Sequence, residues 1–208
     1  MTHTLHRRGS KESLSRDYVV AIFNTPGFDP KVAGSKMHQF LDIATKHNPV
    51  NVGNHSARTQ GNVHTKGVTL KTIYADPYPT PIATFDNKEA VINVLRELKE
   101  ADLGCSVIVS GVIDEVFDAA KEVGITPHSL NVSLGIWGKT ELLPEETVVQ
   151  INTMCGHCYV TPSLIENVVS QVRTGRTSMK EAIRRLAAQC WCGSFNPSRA
   201  AELLKKLV

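Results

Sequence analysis

Residues 17–23 read DYVVAIF, and this run determines how the rest of the chain is interpreted. A short, continuous apolar run of this kind predicts a buried strand in the middle of a sheet. The turn that follows leads to Asp29 and Pro30, which are suited to the cap and the first position of a helix. The folded part of the chain is therefore predicted to begin with a strand and a helix.

The same periodicity argument extends the pattern through the middle of the chain. Strands are predicted at residues 68–75, 82–85, 105–109 and 129–136, and helices at residues 86–103 and 114–123. Asp86 is predicted to cap the first of these helices, and residues 50–67 are predicted to form a long polar loop. This alternation predicts an α/β layered domain, or a ferredoxin-like α+β domain, over residues 17–142.

The pattern changes after Pro144, where only helices are predicted. The residues that mark helix starts in this part are Thr161–Pro162, Ser178 and Asn196–Pro197. Residues 143–208 are thus predicted to form a small all-helical domain that contains most of the cysteines and binds a metal or a cluster. Residues 1–16 are polar and basic and are predicted to form a mobile arm.

The composition argues against several classes of protein. The chain has 208 residues, of which 41% are hydrophobic, so a packed core is expected. A net charge of +3 and the lack of a long basic run argue against a nucleic-acid-binding protein. No run approaches the roughly 18 apolar residues of a membrane span, and the polar N-terminal stretch does not resemble a secretory signal. We therefore expect a cytoplasmic protein.

Four of the five cysteines lie in the predicted helical domain, as two close pairs. Cys155 and Cys158 precede one predicted helix, whereas Cys190 ends a helix and Cys192 follows it. If antiparallel helices pack with short links, the two links meet at one end of the bundle. The sequence therefore predicts that four thiols converge on one site, with His157 available as a replacement ligand.

Three kinds of chemistry fit this arrangement. We favour an iron–sulfur cluster of the 4Fe-4S type, which needs four soft ligands, or three and an open position. Zinc is the first alternative, although its sites more often use two pairs of cysteines that are each separated by two residues. The second alternative is disulfide exchange between Cys155 and Cys158, because a CxxC motif at a helix start is a redox arrangement. Cys105 begins a predicted buried strand and is assigned to the core.

Three basic residues are candidates for binding an anion. Arg7 and Arg8 lie in the basic arm, and Lys139 lies in the run SLGIWGKT of residues 133–140, whose end resembles that of a phosphate-binding loop. Ser110 and Gly111 are predicted to lie between a strand and a helix, where a helix N-terminus can accept an anion. The sequence therefore predicts an anionic ligand without identifying one site for it.

Together these patterns predict an iron–sulfur protein of redox metabolism. Its cluster would transfer electrons or assist chemistry on a small anionic substrate, so an iron–sulfur oxidoreductase is the favoured enzyme class. The expected partner is accordingly a small anionic substrate or a redox partner protein. The alternatives are a zinc-stabilised binding module without catalysis and a CxxC dithiol oxidoreductase.

Overall fold

The computed structural model describes residues 6–23, 27 and 29–208. These residues contain a five-stranded sheet in which all neighbouring strands are antiparallel. The strands are β1 (Tyr18–Phe23), β2 (Asn51–Asn54), β3 (Gly61–Asn62), β4 (Pro81–Phe85) and β5 (Ser106–Ser110). Their order across the sheet is β3-β2-β4-β1-β5, so the fold belongs to the mixed α+β class.

Helices cover this sheet. In the described residues they are α1 (Lys11–Leu14), α2 (Pro30–Lys46), α3 (Leu70–Tyr74), α4 (Lys88–Ala101), α5 (Ile113–Glu122), α6 (Glu146–Met154), α7 (Pro162–Arg173), α8 (Met179–Gln189) and α9 (Pro197–Leu204), with a 3-10 helix at Thr140–Leu142. Asp29, Thr161, Ser178 and Asn196 cap their helices through their side chains, as predicted. None of the helices in this part of the chain is both long and apolar enough to cross a membrane.

β1 lies inside the sheet and is buried along almost its whole length, which confirms the prediction made from DYVVAIF. Because alternate residues of a strand point to opposite faces, β1 contributes to two cores. Tyr18, Val20 and Ile22 belong to one hydrophobic cluster, whereas Val19 and Ala21 belong to another. Helices must therefore cover both faces of the sheet.

The two clusters are completed by different sets of helices. On one face, α2 contributes Phe40 and α4 contributes Leu95, with α5 packed beside α4. On the other face, α6 contributes Ile151 and α9 contributes Leu203, and these pack together with Ile82 of the sheet. The C-terminal helices therefore share a core with the sheet.

The structure contradicts two of the strand predictions. Residues 68–75 contain helix α3, because Thr69 and Thr72 form a reciprocal capping box with hydrogen bonds of 3.2 and 2.9 Å. Residues 129–136 form no strand in the described structure, and Leu134 at their centre is 82% exposed. Alternating apolar residues favour a strand only where a neighbouring strand pairs with them.

Two predicted boundaries also differ from the structure. Residues 50–67, predicted as a loop, contain β2 and β3. The helix predicted to begin at Asp86 is capped by Asn87, whose side chain accepts a hydrogen bond from the Ala90 amide at 2.8 Å. Asn- and Gly-rich strands lack the alternation that marks a strand, and adjacent Asp and Asn residues are equally good caps.

The N-terminal segment, predicted as a mobile arm over residues 1–16, packs against the C-terminal helices where it is described. The Arg8 amide donates to Thr153 Oγ1 at 3.2 Å, and the Arg199 guanidinium donates to Ser13 Oγ at 2.9 Å. The prediction for residues 1–5 lies outside the described residues. The rest of the segment is part of the folded body, since its polar groups bond to α6 and α9.

Candidate functional site

The two cysteine pairs lie where two helices of the C-terminal layer end. Cys155 is the C-terminal cap residue of α6, and Cys190 has the same position in α8. After each cap the chain turns tightly. The Cys158 amide donates to the Cys155 carbonyl oxygen, and the Gly193 amide to that of Cys190, both at 2.9 Å. The predicted position of the cysteines in the links between helices is therefore confirmed.

Three of the four thiols meet in the interior of the protein. Cys155, Cys190 and Cys192 are each 0% exposed. The Sγ atoms of Cys190 and Cys192 are 3.7 Å apart, and the thiol of Cys155 lies near enough to that of Cys190 to affect its titration. Nδ1 of His157 is 3.8 Å from Sγ of Cys192. The two loops therefore bring three thiols and one imidazole into a single group, which we call the thiol cluster.

A serine rather than Cys158 accompanies these sulfurs. Oγ of Ser194 lies 3.2 Å from Sγ of Cys192 and 3.5 Å from Sγ of Cys190. Cys158 is exposed, and its own backbone has a left-handed φ of 59°. Ser194 was not predicted, because a serine in a short loop carries no signal of its own until the loop is folded.

The thiol cluster favours negative charge on one sulfur. The hydrogen bond from Cys190 is the main cause that lowers the pKa of Cys155 to about 6. The same bond, with burial and the contact to Cys192, raises the pKa of Cys190 well above the usual value of a thiol. The hydrogen bond to Cys192 raises the pKa of His157. At neutral pH the cluster therefore offers a thiolate at Cys155, while Cys190 keeps its proton.

Side chains of the sheet hold the second cysteine loop in place. Asn62 Nδ2 donates to the carbonyl oxygen of residue 190 at 2.7 Å, and Thr84 Oγ1 donates to that of residue 193 at 2.8 Å. Asn51 Nδ2 donates to the carbonyl oxygen of residue 195 at 2.9 Å. A buried loop needs such partners for its backbone, and here β2, β3 and β4 supply them.

Arg7 connects the two cysteine loops to each other. Its guanidinium donates to the carbonyl oxygen of Met154, at 3.2 Å, and to that of Ser194. It also forms a buried ion pair with Asp17 at the start of β1. Arg7, predicted as an anion ligand, therefore bridges the residue before Cys155 and the loop after Cys192.

A close approach of two backbones sets the position of Cys192. A Cβ atom placed on Gly53 of β2 would lie 2.4 Å from the carbonyl carbon of Cys192. A Cβ atom on Gly193 would lie 2.3 Å from the amide nitrogen of Gly53, and Gly193 has a left-handed φ of 84°. Only glycine fits at both positions, because either side chain would push the loop away from the sheet.

Four aromatic rings lie beside the thiol cluster. The rings of His55 and Trp191 are stacked with centroids 4.6 Å apart, and His157 lies 5.4 Å from Trp191. Tyr159 completes the group at 5.7 Å from His157. Trp191 therefore contacts the histidine rings of both His55 and His157.

The remaining candidate residues lie away from the thiols. Arg8 forms a partly exposed ion pair with Glu146 at 2.8 Å. Lys139 is exposed, immediately before the 3-10 helix. Cys105 is half-buried and packs against the hydrophobic cluster under α4, but the strand that follows it lies at the sheet edge and is not buried as predicted. The structure therefore does not bring the three predicted anion ligands together.

The spacing of the sulfurs can be compared with that in metal centres. Two thiolates bound to one zinc ion at about 2.3 Å with tetrahedral angles are about 3.8 Å apart. The separation of 3.7 Å between Cys190 and Cys192 is close to this value. In the described residues, no group of three or more His, Cys, Asp or Glu side chains is arranged to hold a metal ion as it stands. The spacing of Cys190 and Cys192 is therefore compatible with two ligands of one ion, and two thiols in ordinary contact have the same spacing.

Comparisons with protein-family models, with curated proteins and with solved structures found no match to this chain.

Proposed function

We propose that this chain is a zinc-stabilised binding protein in which Cys155, Cys190, Cys192 and His157 hold one zinc ion. The observation that carries the proposal is the contact of the buried Cys192 thiol with Cys190 and with the His157 imidazole of the other loop, beside the buried thiol of Cys155. Three thiolates and one imidazole are an established donor set of structural zinc sites. A bound zinc ion would link the two loops more strongly than their hydrogen bonds do.

The packing of the sulfurs favours one ion over the iron–sulfur cluster predicted from the sequence. Sγ of Cys190 lies only 3.7 Å from Sγ of Cys192, which leaves little room for several irons and bridging sulfides between them. Thiolates bound to different irons lie farther apart, because an iron–iron edge separates them.

The 4Fe-4S oxidoreductase is kept as the second candidate because of Ser194 and Trp191. A hydroxyl bonded to sulfur and a ring that excludes water are groups that tune the potential of a cluster. The dithiol alternative between Cys155 and Cys158 has weaker support, since one thiol is buried and the other is exposed.

The layers of the fold support separate roles for the two parts of the chain. We propose that residues 143–208 act as the metal-binding unit, while residues 17–142 carry the surface that binds the ligand. Asn51, Asn62 and Thr84 fix one cysteine loop on the sheet, so the ion is held at the boundary between the two parts. Stability of the site and integrity of the sheet are therefore coupled.

Metal analysis of the purified protein tests the proposal. The wild-type chain and the variants Cys155→Ser, Cys190→Ser and Cys192→Ser are purified with and without oxygen, and zinc, iron and sulfide are measured. Cys158→Ser is the matched control, because it makes the same change three residues from Cys155 at an exposed position. We expect about one zinc per chain in the wild type and in the control, and a loss of at least about fivefold in the other variants.

The other outcomes identify the rival functions. Iron and sulfide in equal amounts, with a brown colour, would establish the cluster instead of zinc. A wild-type protein without metal, or a control that loses its metal as the other variants do, would overturn the assignment of the ligands.

A further inference from the structure

The exposed apolar side chains of this protein are concentrated in one part of the chain. Of the fifteen large hydrophobic side chains that are exposed in the described residues, ten lie between residues 107 and 143. They are Val107, Ile113, Phe117, Leu130, Val132, Leu134, Ile136, Trp137, Leu142 and Leu143. We call these ten side chains the apolar surface.

The apolar surface is built around strand β5, helix α5 and the segment that follows the helix. Ile113 and Phe117 of α5 line a groove at this position. Leu130 and Val132 also line it, and so does Val109 of β5. The segment after α5 therefore lies beside the end of β5 and the start of α5, and the three elements share one face of the molecule.

Strand β5 is an unprotected edge of the sheet. It pairs with β1 on one side, and no strand in the described part of the chain pairs with it on the other. Edge strands are normally protected by charged side chains, proline or a bulge. β5 reads SVIVS, without charge or proline, and its register with β1 is regular. An edge of this kind favours pairing with another strand.

The apolar surface is large for the exterior of a monomer. An exposed aromatic side chain offers about 150–250 Å² and an aliphatic one somewhat less. The ten side chains are between 37% and 82% exposed, so together they present about 1,000 Å². The largest apolar patch of a typical monomer is about 300–600 Å², whereas a stable interface buries about 800 Å² on each partner. The area is therefore sufficient for a stable protein–protein interface.

The lack of charge on this surface favours a second copy of the chain as its partner. Residues 129–138 read SLNVSLGIWG and carry no charged side chain, as is true of β5. Two copies related by a twofold axis place the same patch against itself, so a charge near the axis would face a like charge. An edge strand can also pair with its own copy, because a twofold axis sets the two strands antiparallel.

From these observations we propose that the apolar surface joins two copies of this chain into a homodimer. The β5 strands of the two copies lie antiparallel at the twofold axis and continue the sheet across it. Leu134 and Trp137 are covered in the dimer and exposed in the dilute monomer. The dimer does not depend on the metal, because none of these groups belongs to the thiol cluster.

Sedimentation equilibrium of the wild-type chain at about 1 to 100 µM tests the proposal. We expect the mass to rise from 22.8 kDa towards twice that value as the concentration increases. Leu134→Glu and, separately, Trp137→Glu each place a charge on the apolar surface at a side chain that is 82% exposed, so the monomer still folds. We expect each to raise the dissociation constant of the dimer at least about tenfold.

Val32→Glu is the matched control. It introduces the same charge at an aliphatic side chain of α2 that is 47% exposed and lies outside the apolar surface. This variant should form dimers like the wild type. Hydrogen exchange on the same samples locates the interface, because the amides of residues 107–109 should exchange more slowly as the wild type is concentrated, but not in Leu134→Glu.

Two results would overturn the proposal. One is a wild-type chain that stays monomeric at about 100 µM. The other is a dimer that Leu134→Glu weakens no more than Val32→Glu does, because the two copies would then meet through another face. Circular dichroism of each variant shows that it is folded, so a lost dimer reports on the interface.

Discussion

Two irregular segments of this protein are held in opposite ways. Residues 190–196 and residues 129–136 both lack regular secondary structure. The first segment is mostly buried, and its carbonyl groups are bound by side chains from three strands. The second is exposed throughout, although it is rich in apolar residues. Backbone partners and burial, rather than apolar content, therefore fix the conformation of an irregular segment.

The two segments are expected to differ most in unfolding free energy when one apolar side chain is removed from each. Phe195→Ala leaves a cavity at a residue that is 0% exposed, and we expect a loss of about 4 kcal/mol in the free energy of unfolding. Leu134→Ala removes an exposed side chain, and we expect a change within about 0.5 kcal/mol. Urea denaturation of both variants measures the difference. Equal losses would mean that residues 129–136 are packed in solution.

Glycine substitutions are expected to give the next largest difference in unfolding free energy between the two segments. Gly53→Ala places a Cβ atom against the backbone of Cys192, and we expect a loss of about 3 kcal/mol together with weaker zinc binding. Gly135→Ala is the control in the exposed segment, where a φ of 91° is strained but the space around the Cβ is open. We expect this control to lose only about 1 kcal/mol and to keep its metal. Unchanged metal content in Gly53→Ala would argue against the position of the second cysteine loop.

Loss of a single hydrogen bond should give a smaller effect. Thr84→Val removes the hydroxyl that donates to the carbonyl oxygen of residue 193, and it leaves that oxygen buried without this partner. We expect a loss of about 1.5 kcal/mol in unfolding free energy. Thr140→Val, at the exposed 3-10 helix, should change it by less than about 0.5 kcal/mol. A thermal or urea transition that is the same in both variants would contradict the role of Thr84.

The smallest expected effect is a dependence of stability on pH through His64. Burial lowers the pKa of His64, which lies near the end of the sheet that holds the second cysteine loop. The unfolded chain therefore binds a proton more readily than the folded chain, and stability decreases as the pH falls below about 6.5, the usual pKa of histidine. We expect His64→Gln to lose less stability than the wild type between pH 7 and pH 5.5. Urea transitions at both pH values, with a chelator present, measure this difference, and parallel losses would exclude the contribution of His64.

Local signals in the sequence were sufficient for part of this fold. The apolar run of β1 and the cap residues before Pro30, Pro162 and Pro197 depend only on neighbours in the chain, and their predictions are confirmed. The predicted strand at residues 68–75 is wrong because its threonines form a capping box. Short-range signals of this kind compete, and the sequence alone does not rank them.

The contacts of the candidate site were also predicted only in part from the sequence. The two cysteine links were predicted to meet, and the contact between His157 of the first link and Cys192 of the second confirms it, whereas Cys158 is exposed and does not join the other thiols. The contact of Gly53 with the Cys192 loop and the bridge made by Arg7 join residues more than 130 positions apart. Such pairs have no local signature, so they became visible only in the folded chain.

The most direct test of the account is X-ray absorption at the metal edge of the purified protein. If Cys155, Cys190, Cys192 and His157 bind one zinc ion, the spectrum will fit three sulfurs at about 2.3 Å and one nitrogen at about 2.0 Å, with no neighbouring metal. A metal–metal distance of a cluster, or a shell that contains only nitrogen and oxygen, would contradict it.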